Sequence, residues 1–325
     1  MQLLEVNHLK TYFTTSKGKA KAVDGVSFSL DYGQCLGLVG ESGCGKTTTA
    51  LSICQLLPKE GRVEGGQILL EGVDYAAMTE EEISKHRWND VSLIFQGAMN
   101  AFNPVKKVGW QIAEACIHHQ KMTKEEAWKR AGDLFEMVGI ARERVTQYPH
   151  EFSGGMKQRA MIAMALACEP KLIIGDEPTT ALDVMIQAQI LELLEKLRKE
   201  LHMGMILITH DLSILSETCD KIAVMYAGKI AEMGTVDDIF NHPMHPYTKR
   251  LLACFPNIHS EQRRIPDGIP GYPPSLIDPP EGCRFCPRCE EAGAQCASEE
   301  PEFLQVGPEH FVSCHLCKKG GEQYV

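Results

Sequence analysis

Eight residues, Gly40 to Thr47 (GESGCGKT), follow the apolar run Cys35-Leu-Gly-Leu-Val39 and precede Thr48-Thr-Ala-Leu-Ser52. A short apolar run reads as a buried strand, and the residues after the glycines can open a helix. In that context the spacing G-x-x-x-x-G-K-T restricts this part of the chain to strand, tight loop and helix start, the setting that wraps a phosphate. Glycine adopts the backbone that turns N–H groups inward, and the helix N-terminus adds partial positive charge. Gly40, Ser42, Gly43, Gly45 and Thr48 are therefore expected to line the phosphates of a nucleotide. Lys46 reaches the β- and γ-phosphates and the Thr47 hydroxyl sits on Mg²⁺.

A second apolar run, Leu172-Ile-Ile-Gly-Asp176, ends in an acid. A strand of that kind is buried on both faces of a parallel sheet, so Asp176 falls at its carboxyl end, where ligands gather in open α/β sheets. Asp176 is expected to hold Mg²⁺, through water. Glu177, next along, faces the γ-phosphate and can orient or deprotonate the attacking water. Two acids at a strand end carry little meaning by themselves; the phosphate loop upstream supplies it.

Between these motifs lies Phe152-Ser-Gly-Gly-Met-Lys-Gln-Arg159. Gly154 and Gly155 permit close backbone approach to a phosphate. Met156 onward can form a helix with Ser153 placed as its N-cap. Ser153 to Gln158 is similar to the signature motif of ABC transporter ATPases, and the chain resembles their ATP-binding subunit over roughly residues 1 to 325. Further positions match that family. Gln96, after Val91-Ser-Leu-Ile-Phe, corresponds to the Q-loop, which bonds the metal or water; Ala181-Leu-Asp183 corresponds to the D-loop. His210, after Met205-Ile-Leu-Ile-Thr, corresponds to the switch histidine at the γ-phosphate. Phe13 stands where the family stacks an aromatic on adenine, with Tyr12 the weaker candidate; Phe13 also reads as an ordinary strand aromatic.

The resemblance implies two chains closing face to face on ATP and Mg²⁺. One gives Lys46, Thr47, Gln96, Asp176, Glu177 and His210; the other gives the Ser153–Gln158 segment and Asp183. Lys46, Gln96, Glu177 and His210 are the implied catalytic set, and Thr47, Gln96 and Asp176 the implied Mg²⁺ set. The fold implied is an α/β P-loop ATPase with a mostly parallel sheet core, an antiparallel β edge and an inserted helical subdomain. The partners implied are two integral membrane permease subunits, met near Gln96 to Pro104 and the helical subdomain. A paralogous ATPase or second copy completes the engine, and an extracytoplasmic solute-binding protein acts indirectly. A soluble ABC ATPase in a non-transport machine is the competing class. Long coiled-coil insertions and tandem ATPase domains, usual in that class, are not seen in this sequence.

Composition narrows the field. A net charge of −10 over 325 residues argues against a general nucleic-acid surface. No run of about 18 apolar residues is present, and the start of the chain lacks a signal-peptide pattern. The expected location is the cytoplasmic face of the membrane, held there by another protein. The expected organisation is an ATP-binding domain over 1–241, with a helical insertion at about 97–158, and an extension over 242–325. Within the insertion, Ala127, Ala131, Leu134, Phe135 and Val138 recur at helical spacing. After the acids, Met185 to Leu201 reads as an amphipathic helix. Met205–Ile208 and Lys221–Tyr226 read as the strands that complete the sheet.

His242-Pro-Met-His-Pro-Tyr-Thr248 marks the boundary, and prolines near 271–280 predict an extended segment laid on the surface. Six of 13 cysteines then fall within residues 283–317: Cys283, Cys286, Cys289, Cys296, Cys314 and Cys317. The others read as small buried hydrophobes, although Cys44 lies inside the phosphate loop. Six thiols in a polar segment of a cytoplasmic chain argue for a metal that supplies the missing stability. The pattern G-x-P-P-x-L-x-x-P-P-x-G-C-R-F-x-x-R-C is similar to the C-terminal motif of oligopeptide/dipeptide ABC ATPases, some of which carry a [4Fe-4S] cluster there. By that resemblance Cys283, Cys289, Cys296 and Cys314 are the ligands. Cys286 and Cys317 are extra thiols and alternates, and zinc is the alternative metal. The resemblance also implies import of peptides, with nickel, opine, sugar or glutathione as other solutes of related systems.

Overall fold

The protein is described from a computed structural model, over residues 2–97, 101–180, 182–254 and 268–317. In chain order, β1 (Gln2–Thr15) and β2 (Gly18–Asp31) form a long hairpin, and β3 (Cys35–Val39) leads into α1 (Lys46–Ile53). Next come β4 (Gly61–Leu70), β5 (Val73–Asp74), α2 (Glu80–His86) and β6 (Val91–Ile94). Three helices follow: α3 (Val108–Gln120), α4 (Lys124–Met137) and α5 (Gly154–Ala165). Alternation resumes with β7 (Leu172–Asp176), α6 (Val184–Leu201), β8 (Gly204–Ile208), α7 (Leu212–Thr218), β9 (Lys221–Tyr226) and β10 (Lys229–Thr235). The chain ends with α8 (Val236–Asn241), α9 (Pro246–Ala253), α10 (Ala294–Ser298), β11 (Leu304–Gln305) and β12 (Phe311–Val312).

Two sheets result. The smaller is antiparallel, ordered β2-β1-β4-β5; the larger runs β11-β12-β10-β9-β3-β8-β7-β6. Within the larger sheet β9, β3, β8, β7 and β6 are parallel, and β10, β12 and β11 add an antiparallel edge. The central strands are largely apolar because both faces are covered. Leu36, Leu38, Ile174 and Ile206 pack toward the small sheet with Leu4, Val6 and Ile68. Their strand neighbours Val39, Ile173, Met205 and Leu207 pack toward the helices with Ile190 and Leu194. This is the period-two alternation of a strand, buried on both sides.

α4 carries four of the five apolar residues read from its spacing and Val138 is its C-cap, all five buried. Its start is fixed by a capping box in which Thr123 accepts from Glu126 N and Glu126 receives Thr123 N. Two boundaries differ from the sequence reading. α1 begins at Lys46, inside the phosphate motif rather than after it. The sheet also continues beyond Tyr226 through β10, and the extension donates β12 to it, Glu232 opposite Val312. A two-residue strand exists because an open edge is there to pair with, so its own sequence gives no periodicity to read.

The proline-rich segment lies along the β1–β2 hairpin: Lys21 N donates to Leu276 O at 2.8 Å, and Ile277 faces Gly18. No helix among the described residues is long and apolar enough to cross a membrane.

Candidate functional site: a phosphate loop and its carboxylate wall

The strand order places the site. β8 lies between β3 and β7, with Leu38 opposite Ile208 and Asp176 opposite Ile208. The loop after β3, the acids ending β7 and His210 after β8 therefore share the carboxyl edge of the sheet. Gly40, Gly43 and Gly45 all have positive φ, at 148°, 77° and 109°. A Cβ at Gly40 would stand 2.1 Å from Met225 O, and one at Gly45 2.3 Å from Ala22 O. Backbone contacts of that kind do not yield, so glycine is required at both. α1 starts with no side-chain cap at Gly45, which leaves its first N–H groups for an anion. Lys46 is buried and its Nζ donates to Gly40 O at 2.7 Å and Glu41 O at 3.1 Å. Those carbonyls hold the ammonium at the mouth of the loop. Ser42 and Thr47 are exposed there, and Thr48 is half-buried.

Asp176 is 6% exposed, and burial raises its carboxyl above the usual carboxylate range. The neighbouring Glu177 charge raises it further, against the pull of Thr47 and Lys46. A cation beside it would relieve that strain. Glu177 holds a left-handed backbone, φ 48°, unusual for a residue with a side chain. Its N–H donates to Ile208 O at 2.9 Å, which ties it to the end of β8. Its carboxylate accepts from Gln96 Nε2 at 2.7 Å and Thr180 Oγ1 at 2.9 Å, with His210 Nδ1 at 3.4 Å. The structure thus brings Gln96, Glu177 and His210 together. Thr180 joins them and was missed: a threonine in a polar turn carries no signal until Glu177 is seen beside it.

The remaining site residues are spread out. Phe13 is half-buried, and its ring lies on Gly61, where a Cβ would meet it at 2.8 Å. Tyr12, its neighbour on β1, instead donates its hydroxyl to Asp24 at 2.6 Å. Ser153 caps α5, accepting from Met156 N at 3.3 Å, and is exposed, with Gly154 and Gly155 half-buried behind it. Gln158 is buried, and its Nε2 has no hydrogen-bond partner. It therefore lies within the packed side of α5, not on the surface with Ser153. Asp183 caps α6 through Ile186 N at 2.9 Å. Ala181, and residues 98–100 of the expected membrane contact, lie outside the described residues. Among the described residues no hydrogen bond or ion pair links Ser153–Gln158 to the phosphate loop. α5 packs on α3, α4, α6 and β6.

In the extension, Cys283 and Cys289 each lie near enough to Cys296 and Cys314 to feel their charges. Cys283 N donates to Cys296 O at 2.8 Å, and Cys286 N to Cys283 O at 3.0 Å. Burial pushes the Cys283 and Cys289 thiols up to about 11. As the side chains stand, no three or more His, Cys, Asp or Glu groups among the described residues converge to hold a metal ion. The Cys314 and Cys317 thiols act chiefly on each other, which raises the Cys314 thiol above its ordinary value and lowers that of Cys317. The metal-binding character expected of the extension therefore has no formed ligand cage behind it.

Fold and site together define a P-loop ATPase of the ABC type. The family model described as "ABC transporter" matches residues 23–180, and "Oligopeptide/dipeptide transporter, C-terminal region" matches 231–296. The oligopeptide transport ATP-binding protein AppD of Bacillus subtilis is 47% identical, covering 99% of this chain and 98% of its own. OppD of Escherichia coli is 46% identical, over 92% of this chain and 89% of its own. Among solved structures, cbiO1 of Clostridium perfringens, part of an ABC transporter complex, superimposes with a TM-score of 0.64. It is 26% identical and covers 74% of this chain and 91% of its own. The ATP-binding cassette MJ0796, solved as a dimer, also gives 0.64 at 24% identity over 72% of this chain and 98% of its own, a likeness of fold alone. The chain belongs to the family of oligopeptide and dipeptide transport ATP-binding proteins.

Proposed function

We propose that this chain is the ATP-hydrolysing subunit powering an ABC importer of di- and oligopeptides. The observation that carries the reading is the division of the site. The phosphate loop, Asp176, Glu177, Gln96 and His210 share one sheet edge, whereas Ser153 caps a helix that, among the described residues, makes no bond to them. A signature helix so placed serves the nucleotide of another chain. MgATP is the substrate. The loop N–H groups, Lys46 and Ser42 bind the phosphates, and Thr47, Asp176 and Gln96 hold the Mg²⁺. Glu177 takes the proton of the attacking water, and His210 and the opposite chain's Ser153, Gly154 and Asp183 close on the γ-phosphate. Phe13 meets the adenine. The opposite chain is a paralogous ATPase or a second copy. Closure drives two permease subunits at the cytoplasmic face of the membrane, supplied by an extracytoplasmic solute-binding protein. The domain limits that serve this are 1–241, with the helical insertion 97–158, and 242–325.

We also propose that Cys283, Cys289, Cys296 and Cys314 take up a [4Fe-4S] cluster, with Cys286 and Cys317 as alternates and zinc as the other candidate occupant. The support is the donor set: six thiols in 35 residues, with Cys283 and Cys289 each within electrostatic reach of Cys296 and Cys314. No step of ATP turnover passes through it. About four irons and four acid-labile sulfides per anaerobically purified chain are expected; one zinc without sulfide overturns the cluster assignment. The transport reading is tested by copurification. Two integral membrane proteins should accompany the chain, and MgATP turnover by that complex should rise with peptide and binding protein. A chain that copurifies with no integral membrane protein and whose ATP turnover does not respond to peptide and binding protein sinks it.

A further inference from the structure

The two arginines of Cys283-Arg-Phe-Cys-Pro-Arg-Cys289 are the sole lysines or arginines between residues 265 and 317. Arg288 reaches across the molecule to Glu41, the second residue of the phosphate motif. Its Nη1 donates to Glu41 Oε2 at 2.6 Å and its Nη2 to Glu41 Oε1 at 3.1 Å, a bidentate pair with the Arg288 side chain 4% exposed. The fork is aimed from behind: Nε donates to Pro270 O at 2.7 Å and Nη2 to Ile269 O at 3.1 Å, while Nη1 also reaches the Tyr226 hydroxyl at 3.2 Å. Glu41 is fixed at its backbone as well. Its N–H donates to the Tyr247 hydroxyl at 3.0 Å, and its carbonyl accepts from Lys46 Nζ at 3.1 Å.

We propose that Arg288 is a positioning residue for the phosphate loop, acting through Glu41, so that the cysteine-rich extension is a working part of the ATP site. This rests on the functional reading above and assigns it a further residue. Two physical effects combine. A loop with three left-handed glycines has many alternative conformations, and anchoring Glu41 at side chain, N–H and carbonyl removes most of them before the nucleotide arrives. A carboxylate beside an anion site also repels a triphosphate, and the bidentate guanidinium neutralises it in a fixed geometry that lysine does not reproduce. Arg288 touches Glu41, not the nucleotide.

The test is equilibrium binding of MgATP, MgADP and adenosine to the purified full chain, with Arg288→Ala, Arg288→Lys, Glu41→Gln and the double variant Arg288→Ala/Glu41→Gln. Arg288→Ala should weaken MgATP and MgADP about ten-fold while adenosine binding stays as in wild type. Arg288→Lys should recover only part of the loss. The double variant should bind MgATP no more weakly than Arg288→Ala, because both changes remove one interaction. Glu41→Gln breaks the pair from the loop side and keeps the test sound if Arg288→Ala folds poorly. Wild-type affinity for MgATP in Arg288→Ala, losses that multiply in the double variant, or equal loss for adenosine would each overturn the inference. A wild-type chain that binds no MgATP would overturn the functional reading first, and this inference with it.

Discussion

The residues of the phosphate loop were legible because backbone geometry leaves no substitute for them. Gly40 and Gly45 each face a carbonyl oxygen closer than a Cβ can stand, so the motif records a steric fact. Asp176 and Glu177 were legible as an apolar run that ends in acid. What surrounds them was not: Thr180, three residues on from Glu177, becomes meaningful only through a 2.9 Å bond. Glu177→Gln keeps the Gln96 and Thr180 contacts possible but removes the proton acceptor. Its ATP turnover should fall about a hundred-fold or more with MgATP affinity unchanged; equal turnover in variant and wild type would reject the base assignment. Asp176 supports a second test. Its native carboxyl is raised by burial, so it holds a proton more tightly folded than unfolded. The stability it contributes is present at low pH and lost as pH rises from the unfolded value through the native one. At neutral pH the ionised group is a standing cost that Mg²⁺, held as proposed, would offset. Asp176→Asn should therefore raise the melting temperature of the ligand-free chain at pH 7, with no gain below about pH 3. It should also lose the Mg²⁺-dependent stabilisation seen in wild type. A lower melting temperature at pH 7 would reject the argument.

At the scale of elements, long periodic helices and central strands were readable, and short edge pieces were not. α4 follows from five apolar residues at helical spacing, and Ala127, Leu134 and Phe135 are buried as that spacing requires. α6 likewise buries Ile190, Leu193, Leu194 and Leu197. β11 and β12 are two residues each and were unread, since partner edges rather than patterns create them. α9 shows a proline motif acting as a helix start: Pro246 stands in the first turn and His245 Nδ1 accepts from Tyr247 N at 3.0 Å. Burial depresses His245 to about 4; Glu232 and the Ser313 backbone oppose that shift, and Lys249 adds to it. An unfolded histidine takes up its proton near pH 6.5, well before the native one does. Stability should thus fall as pH drops from about 6.5 to 4, by up to about 1.4 kcal/mol per unit from this group. His245→Asn retains a capping acceptor and does not titrate. Its urea midpoint should depend less on pH across that window, and an unchanged slope would show that His245 is not the source.

Over the whole molecule, sequence separation hid the ties that join the extension to the ATP-binding body. Arg284 bonds Asp24, 260 positions away, and Asp24 in turn receives the Tyr12 hydroxyl on the β1–β2 hairpin. Arg288 bonds Glu41, 247 positions away. Nothing local in CRFCPRC announces either partner; two cations in an otherwise acidic segment were the available signal. Ser153 is the opposite case: it is exposed, and its proposed partner in another chain is indicated by its motif alone. That exposure makes a decisive test possible. Ser153→Arg puts a bulky side chain at the N-cap of α5, far in bonding terms from the chain's own phosphate loop. In a Glu177→Gln background, which arrests turnover, the chain with its ATPase partner should form a MgATP-dependent dimer that ADP does not support. Adding Ser153→Arg to both subunits should abolish that dimer in sedimentation while each chain still binds MgATP with wild-type affinity. A dimer that survives, or MgATP affinity that falls with it, would mean that the signature helix serves its own chain, and the division of the site between two chains would be wrong.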